Sequence, residues 1–271
     1  MQQDFVSLVI ADRDLFGPPS HIRELSEEFS DRCLALLFPH FSRDQFTAPE
    51  PVAEIDALCD VLRRAIGPLL EDAETACEII RRHVLEALPL LRAQLLDDAD
   101  AILSADPAAS SLDEVILAYP GFYALAIYRI AHIFYEQEIP LFPRLLSEYA
   151  HRQTGIDLHP GAKIGQRFSI DHGTGVVIGE TAVIGDRVRI FQGVTLGALS
   201  VKKKLEGTKR HPTIGNDVVI YSQATILGGR TVIGEGSIIG GNVWLTDSVP
   251  PHSVITNQAA NRHTEWPDFV I

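Results

Sequence analysis

Aliphatic residues recur every six positions through the second half of this chain. They stand at Leu158, Ile164 and Ile170, then at Ile178, Ile184, Ile190 and Leu196. After a gap of eighteen residues the series resumes at Ile214, Ile220 and Ile226, and after a step of seven at Ile233, Ile239 and Leu245. A helix needs a period near 3.6, and a half-buried strand alternates by two. A period of six instead predicts short flat strands joined by tight turns, three to a coil, with each aliphatic side chain pointing inward. Glycine follows several of these residues directly, as at Gly165, Gly179 and Gly215, where turns leave no room for a side chain or require positive φ.

Up to about Thr154 the pattern is helical. Ser20 reads as the cap of a stretch with apolar residues at Leu25, Phe29, Cys33 and Leu36. Further helices are predicted over Ile55–Ile66, Thr75–Leu96 with a bend near Pro89, Leu112–Tyr135 and Leu141–Arg152. So much apolar helix must pack on itself or on a copy. The expected organisation is α+β: an all-helical oligomerisation domain over 1–154, a coiled β domain over 155–256 and a flexible tail over 257–271.

Composition narrows the function. The 271 residues are 46% hydrophobic and 22% charged, as in a soluble globular protein. A net charge of -13 argues against nucleic-acid or anionic-membrane partners. No apolar run approaches the ~20 residues of a spanning helix, and the N-terminus lacks a basic region and apolar core of a signal peptide. Cys33, Cys59 and Cys77 are widely spaced, which suits reduced thiols and a cytoplasmic location.

Two breaks in the six-residue register draw attention. The step from Ile170 to Ile178 is eight residues and contains His172. The interior of the eighteen-residue step, Ala198 to His211, lacks the repeat and reads as a loop thrown out of the coil, where function usually lies. Asp157 precedes His172 by fifteen residues, close to one coil. A carboxylate on one ring nitrogen would fix the tautomer and make the other a better base. A structural ion pair is the competing reading of that spacing.

A resemblance sharpens these expectations. Gly155-Ile156-Asp157-Leu158-His159-Pro160-Gly161-Ala162, Ile170-Asp171-His172-Gly173-Thr174-Gly175 and Gly179-Glu180-Thr181-Ala182 resemble the serine acetyltransferase family. Val194-Thr195-Leu196-Gly197 and Arg210-His211-Pro212-Thr213-Ile214 extend the likeness in order, and Asp106-Pro107-Ala108 with Gly121-Phe122 and Tyr128-Arg129 resemble the end of that family's helical domain. The resemblance implies a left-handed parallel β-helix and transfer of acetyl from acetyl-CoA to the L-serine hydroxyl, with no metal. It implies His172 as general base oriented by Asp157, Asp106 and Asp171 at the ammonium group, Arg210 and His211 near the carboxylate, and Glu180 close by. Gly197, Ala198 and Ser222 match positions along the pantetheine arm, and Lys202 is a candidate for the coenzyme's phosphates. The family further implies homotrimers or dimers of trimers, with sites between subunits. It also implies that a C-terminal isoleucine, here Ile271, inserts into O-acetylserine sulfhydrylase. Alternatives are a hexapeptide acetyltransferase for a sugar or xenobiotic hydroxyl, and a metal enzyme of the γ-carbonic-anhydrase type using His159, His172 and His211. A non-catalytic solenoid scaffold is the third.

Overall fold

The computed structural model describes residues 21–42, 51–199 and 208–257, with isolated positions 5 and 7. Ser20, Lys202 and Ile271 lie outside the described residues.

The helical half comprises α1 (Ile22–Leu37), α2 (Pro51–Ile66), α3 (Ala73–Ala105), α4 (Leu112–Ala118), α5 (Pro120–Glu136) and α6 (Phe142–Thr154). Phe29 of α1, Phe134 of α5 and Phe142 of α6 meet edge-to-face, with centroids 5.0–5.6 Å apart, at the centre of this core. The third helix carries Pro89 and outruns its sequence-predicted end by several turns. Asp97, Asp98 and Asp100 interrupt the apolar pattern on paper, yet Leu95, Ala99 and Ile102 still bury one face. The predicted single segment Leu112–Tyr135 is two helices meeting at a 75° bend. Pro120 is the cause: it opens α5 at a position that needs no N–H donor, and it holds Tyr119 in an extended conformation (ψ 117). Among the described residues no single helix is long and apolar enough to cross a membrane. The bent pair α4–α5 passes that test only when joined, and its Phe122, Leu125 and Phe134 are fully buried in the protein core.

Beyond Gly155, which ends α6 in the left-handed conformation, the chain winds into a parallel β-solenoid with three faces. The first stacks β1 (Asp157–Leu158), β4 (Val177–Ile178), β7 (Thr195–Gly197), β10 (Thr225–Leu227) and β13 (Trp244–Leu245). The second stacks β2 (Lys163–Ile164), β5 (Val183–Ile184), β8 (Thr213–Ile214) and β11 (Val232–Ile233). The third stacks β3 (Ser169–Asp171), β6 (Arg189–Phe191), β9 (Val219–Ile220), β12 (Ile238–Ile239) and β14 (Val254–Ile255). The period-six aliphatics from Leu158 to Ile239 fill the interior, each at most 9% exposed. Register shows where residues were added. Asp157 pairs with Val177, a coil of twenty; Val177 pairs with Thr195, a coil of eighteen; Val183 pairs with Thr213, a coil of thirty. The two extra residues of the first coil surround His172, and the twelve of the third fall between β7 and β8, mostly outside the described residues.

A buried ion pair fastens the two halves together. Arg129 of α5 donates through Nε and Nη2 to the Asp98 carboxylate of α3 at 2.6 and 3.0 Å, and through Nη2 to the Gly165 carbonyl at 2.7 Å. Asp98 also accepts the Phe168 amide at 3.0 Å. From this staple α3 and β3 both lead to the site.

Candidate active site

His172 sits at the corner between the third and first faces. The Gly173 amide donates to the Asp171 carbonyl at 2.7 Å across it, closing a γ-turn with His172 at φ 56. Non-glycine residues at positive φ are uncommon, and that form of γ-turn is rare and strained. Positive φ alone does not single out His172, because Arg187, Asp217, Gln223, Asn242 and His252 share it at the regular corners. What is particular is the added bulge, which lifts the imidazole off the coil. Its side chain is 74% exposed, and Nε2 lies 3.6 Å from Asp171 Oδ1.

Two carboxylates converge on this corner from different elements. Asp171 ends β3, and its Oδ2 accepts Arg189 Nη2 at 2.7 Å from the next rung. Asp106 is the C-terminal cap of α3 and accepts the Ala108 amide at 2.8 Å and the Tyr119 hydroxyl at 2.7 Å. These bonds, the Tyr119 one first, hold the Asp106 carboxyl below its ordinary range, with Arg189 and His172 adding smaller electrostatic contributions. Asp106, Tyr119, Asp171 and Arg189 line one small pocket together with Ser169 and Ile170. Asp157 opens β1 one rung away: its amide donates to the Val176 carbonyl at 2.9 Å, its rung partner is Val177, and its carboxylate clusters with Glu148 and His151, their nearest ligand atoms within 4.8 Å of one another. Among the described residues no hydrogen bond or ion pair joins Asp157 to His172.

A second cluster occupies the corner between the first and second faces. Glu180 follows β4, pairs with Arg210 and accepts the Tyr135 hydroxyl at 3.0 Å. His211 Nδ1 accepts the Thr181 amide at 3.0 Å, so the neutral ring carries its proton on Nε2 as a free donor. Burial, reinforced by Arg210, lowers the His211 pKa to about 4, and burial does the same for His159. Gly179 makes room for the ring: a Cβ there would lie 2.1 Å from His211 Cδ2 and Nε2. Arg210 Nη1 is buried with no acceptor. Gly197 and Ala198 leave β7 at this second corner, whereas Ser222 lies at the His172 corner, two rungs further along the coil. One chain therefore holds the expected residues as two groups on two edges of a three-sided rod.

The chain matches no protein-family model. A plasmid-encoded serine acetyltransferase of Synechococcus elongatus is 53% identical over 176 residues, which span 63% of this chain and 55% of that protein's length. A Bacillus pumilus serine acetyltransferase is 47% identical over 161 residues, 59% of this chain and 72% of that relative. The chain belongs to the serine acetyltransferase family. The solved structure of serine acetyltransferase isoform 3 from Entamoeba histolytica, in complex with cysteine, superposes with a TM-score of 0.78 at 36% identity, covering 90% of this chain and 83% of that one.

Two residues at this candidate site are not marked by any sequence motif. Arg189 lies eighteen residues after Asp171, but the bulged coil between them has twenty, so its rung partner is Ser169 and it reaches Asp171 diagonally. Tyr119 carries a weak signal: only the following Pro120 hints that the chain turns there and aims the ring back at the end of α3. Tyr123 is half-buried beside Tyr149 in the helical core.

Proposed function

We infer that this chain transfers acetyl from acetyl-CoA to the hydroxyl of L-serine, giving O-acetylserine and coenzyme A. The observation that carries this reading is the convergence of Asp106 and Asp171 on the raised imidazole of His172. Two carboxylates beside a base suit a substrate that presents an ammonium group next to its hydroxyl. A neutral sugar hydroxyl offers them hydrogen bonds but no cation to pair with.

His172 removes the hydroxyl proton as serine oxygen attacks the thioester carbonyl, and the resulting imidazolium returns a proton to the departing thiolate. Asp157, one rung from the His172 corner, is the proposed orienting carboxylate. The acceptor-free Arg210 Nη1 and the Nε2–H of neutral His211 suit the substrate carboxylate, with Glu180 holding the guanidinium in place. Gly197, Ala198 and Ser222 are the proposed track of the pantetheine arm. The division of these groups between two edges supports a homotrimer in which the His172 edge of one copy meets the Arg210 edge of the next, which would also cover the exposed imidazole. Pairing of trimers through the helical half completes that proposal.

Thiol release from acetyl-CoA, measured with and without L-serine and against a panel of sugars, tests the activity. His172→Ala is expected to lower the serine-dependent rate by about 10²–10⁴-fold without changing the circular dichroism spectrum; an unchanged rate removes His172 from the mechanism. The proposed partner is O-acetylserine sulfhydrylase, engaged by the Ile271 carboxylate in the manner of terminal capture. Deleting Ile271 should abolish that binding, and undiminished affinity rejects the partner.

A further inference from the structure

Both carboxylates at the His172 corner are already held before any ligand arrives, each by a donor from a separate element. Tyr119, at the α4–α5 bend, reaches Asp106 Oδ2 at 2.7 Å, while the Ala108 amide takes Oδ1. Arg189, on β6, reaches Asp171 Oδ2 at 2.7 Å and leaves Oδ1 facing His172. The arginine is itself braced. Its guanidinium lies 4.6 Å from the centroid of the Phe191 ring, which stacks on Tyr221 at 4.9 Å. Tyr119 is braced by the backbone, since the residue before Pro120 is confined to extended conformations.

We propose that Tyr119 and Arg189 are positioning residues that set the Asp106 and Asp171 carboxylates for the α-ammonium group of serine, a role that rests on the serine-acetylating reading above. A carboxylate oxygen has room for two hydrogen bonds, and each bond already made fixes where the next donor must approach. Four oxygens fixed in this way present a preset cradle to the three N–H donors of an ammonium group, with less ordering left for binding to supply. Tyr119 is suited to the task over the working pH range. Its bond to Asp106 pushes its hydroxyl up to about 12, so it stays protonated and donates, while the same bond keeps Asp106 ionised. Arg189 has a second effect. Unheld, Asp171 is free to swing its carboxylate onto the His172 ring 3.6 Å away, which would occupy an ammonium site and the base together.

The test is a double-mutant cycle on the full-length chain in its native assembly, with acetyl-CoA saturating and L-serine varied. Tyr119→Phe deletes one oxygen and is expected to raise the KM for serine about tenfold, the size of losing a hydrogen bond to a charged group. The KM for acetyl-CoA should stay within twofold. In an Asp106→Asn background the same substitution should add less than about twofold, because the positioned group is already altered. Arg189→Met should behave likewise against Asp171→Asn, with Arg189→Lys intermediate because it keeps the charge and loses the fork. Calorimetric titration with serine reads the same cycle if the Asp106 variant turns over too slowly. An unchanged serine KM in Tyr119→Phe overturns the proposal, as does an equal loss in both backgrounds, which would mark a structural role. Absence of serine-dependent thiol release by the unsubstituted chain is a separate result, and it overturns the underlying reading instead.

Discussion

Asp98→Asn is expected to damage stability and serine binding together, because one staple positions both acids. Asp98 is fully buried and accepts three hydrogen bonds, two from Arg129 and one from the Phe168 amide. Asparagine keeps the shape but turns one acceptor into an NH2 donor facing other donors, and it leaves the Arg129 cation buried without its counter-ion. Breaking a buried pair in this way costs about 3–5 kcal/mol, a large share of the roughly 5–15 kcal/mol that holds a typical domain folded. The same change propagates to the site by geometry. Asp106 lies eight residues along α3 from Asp98, about 12 Å at helical rise. Asp171 lies three residues past Phe168, about 10 Å of strand. Loosening their common origin lets the two carboxylates drift relative to each other. Burial already pushes the Asp98 carboxyl above its ordinary range in spite of Arg129, so the pair is no large net source of stability. Replacing both partners, as Asp98→Leu with Arg129→Met, should therefore cost less than the sum of the single changes. Urea unfolding followed by circular dichroism gives the first quantity, and the serine KM gives the second. A loss below about 1 kcal/mol for Asp98→Asn, or a serine KM unmoved at full destabilisation, refutes the argument.

Two further outcomes follow from the second corner. Gly179→Ala places a methyl group 2.1 Å from the His211 ring, so the ring must leave its Thr181 bond. Serine-dependent activity should fall by about tenfold or more, the scale of one lost hydrogen bond to a charged group, and wild-type rates in this variant would rule out a role for His211. Stability should fall as pH drops from about 6.5 to about 4. In that window an unfolded histidine has taken up its proton while His159 and His211, held to about 4, have not. The unfolded state then binds more protons, so the stability present above 6.5 is lost on acidification. His159→Gln should flatten this loss in urea midpoints measured between pH 7.5 and 4.5, and an equally steep loss in the variant contradicts it.

The solenoid was legible because its rule is local: an inward aliphatic every six residues and a tight turn between. Even the exceptions were readable, since a step of eight has to bulge and a step of eighteen that lacks the repeat has to leave the coil. Helix ends were less so. The acidic run Asp97, Asp98 and Asp100 hides that Asp98 is a buried partner of Arg129, a fact fixed by tertiary packing. Pro120 sits inside an otherwise continuous apolar stretch, whose helical period masks the break that it makes. At the site, the family motifs supplied His172, Asp106 and Asp171. The residues that hold the two acids came only from structure, because Tyr119 and Arg189 act on groups thirteen and eighteen positions away. The coil length was also only approximate in the sequence: fifteen residues separate Asp157 from His172, whereas the bulged first coil has twenty and pairs Asp157 with Val177, just past the His172 corner.

The separation of the two clusters leads to a prediction that a single-chain site cannot share. His172 lies at the corner before β4, and Arg210 and His211 lie at the corner after β7, on different edges of the same rod. If one active site takes His172 from one copy and Arg210 from the next, chains carrying His172→Ala and chains carrying Arg210→Met are each inactive alone. Mixed within one trimer, they regenerate an intact site wherever the Arg210→Met chain supplies the imidazole and the His172→Ala chain supplies the guanidinium. Random mixing of equal amounts makes that about a quarter of all sites under cyclic symmetry. Co-expression of the two variants, with serine-dependent thiol release per chain as the readout, should therefore restore about a quarter of wild-type activity. Two separately purified variants, combined without exchange of subunits, should restore none. Activity at the level of the single variants after verified co-assembly would mean that each chain completes its own site. The Arg210 corner would then have to be assigned to something other than the serine that His172 activates.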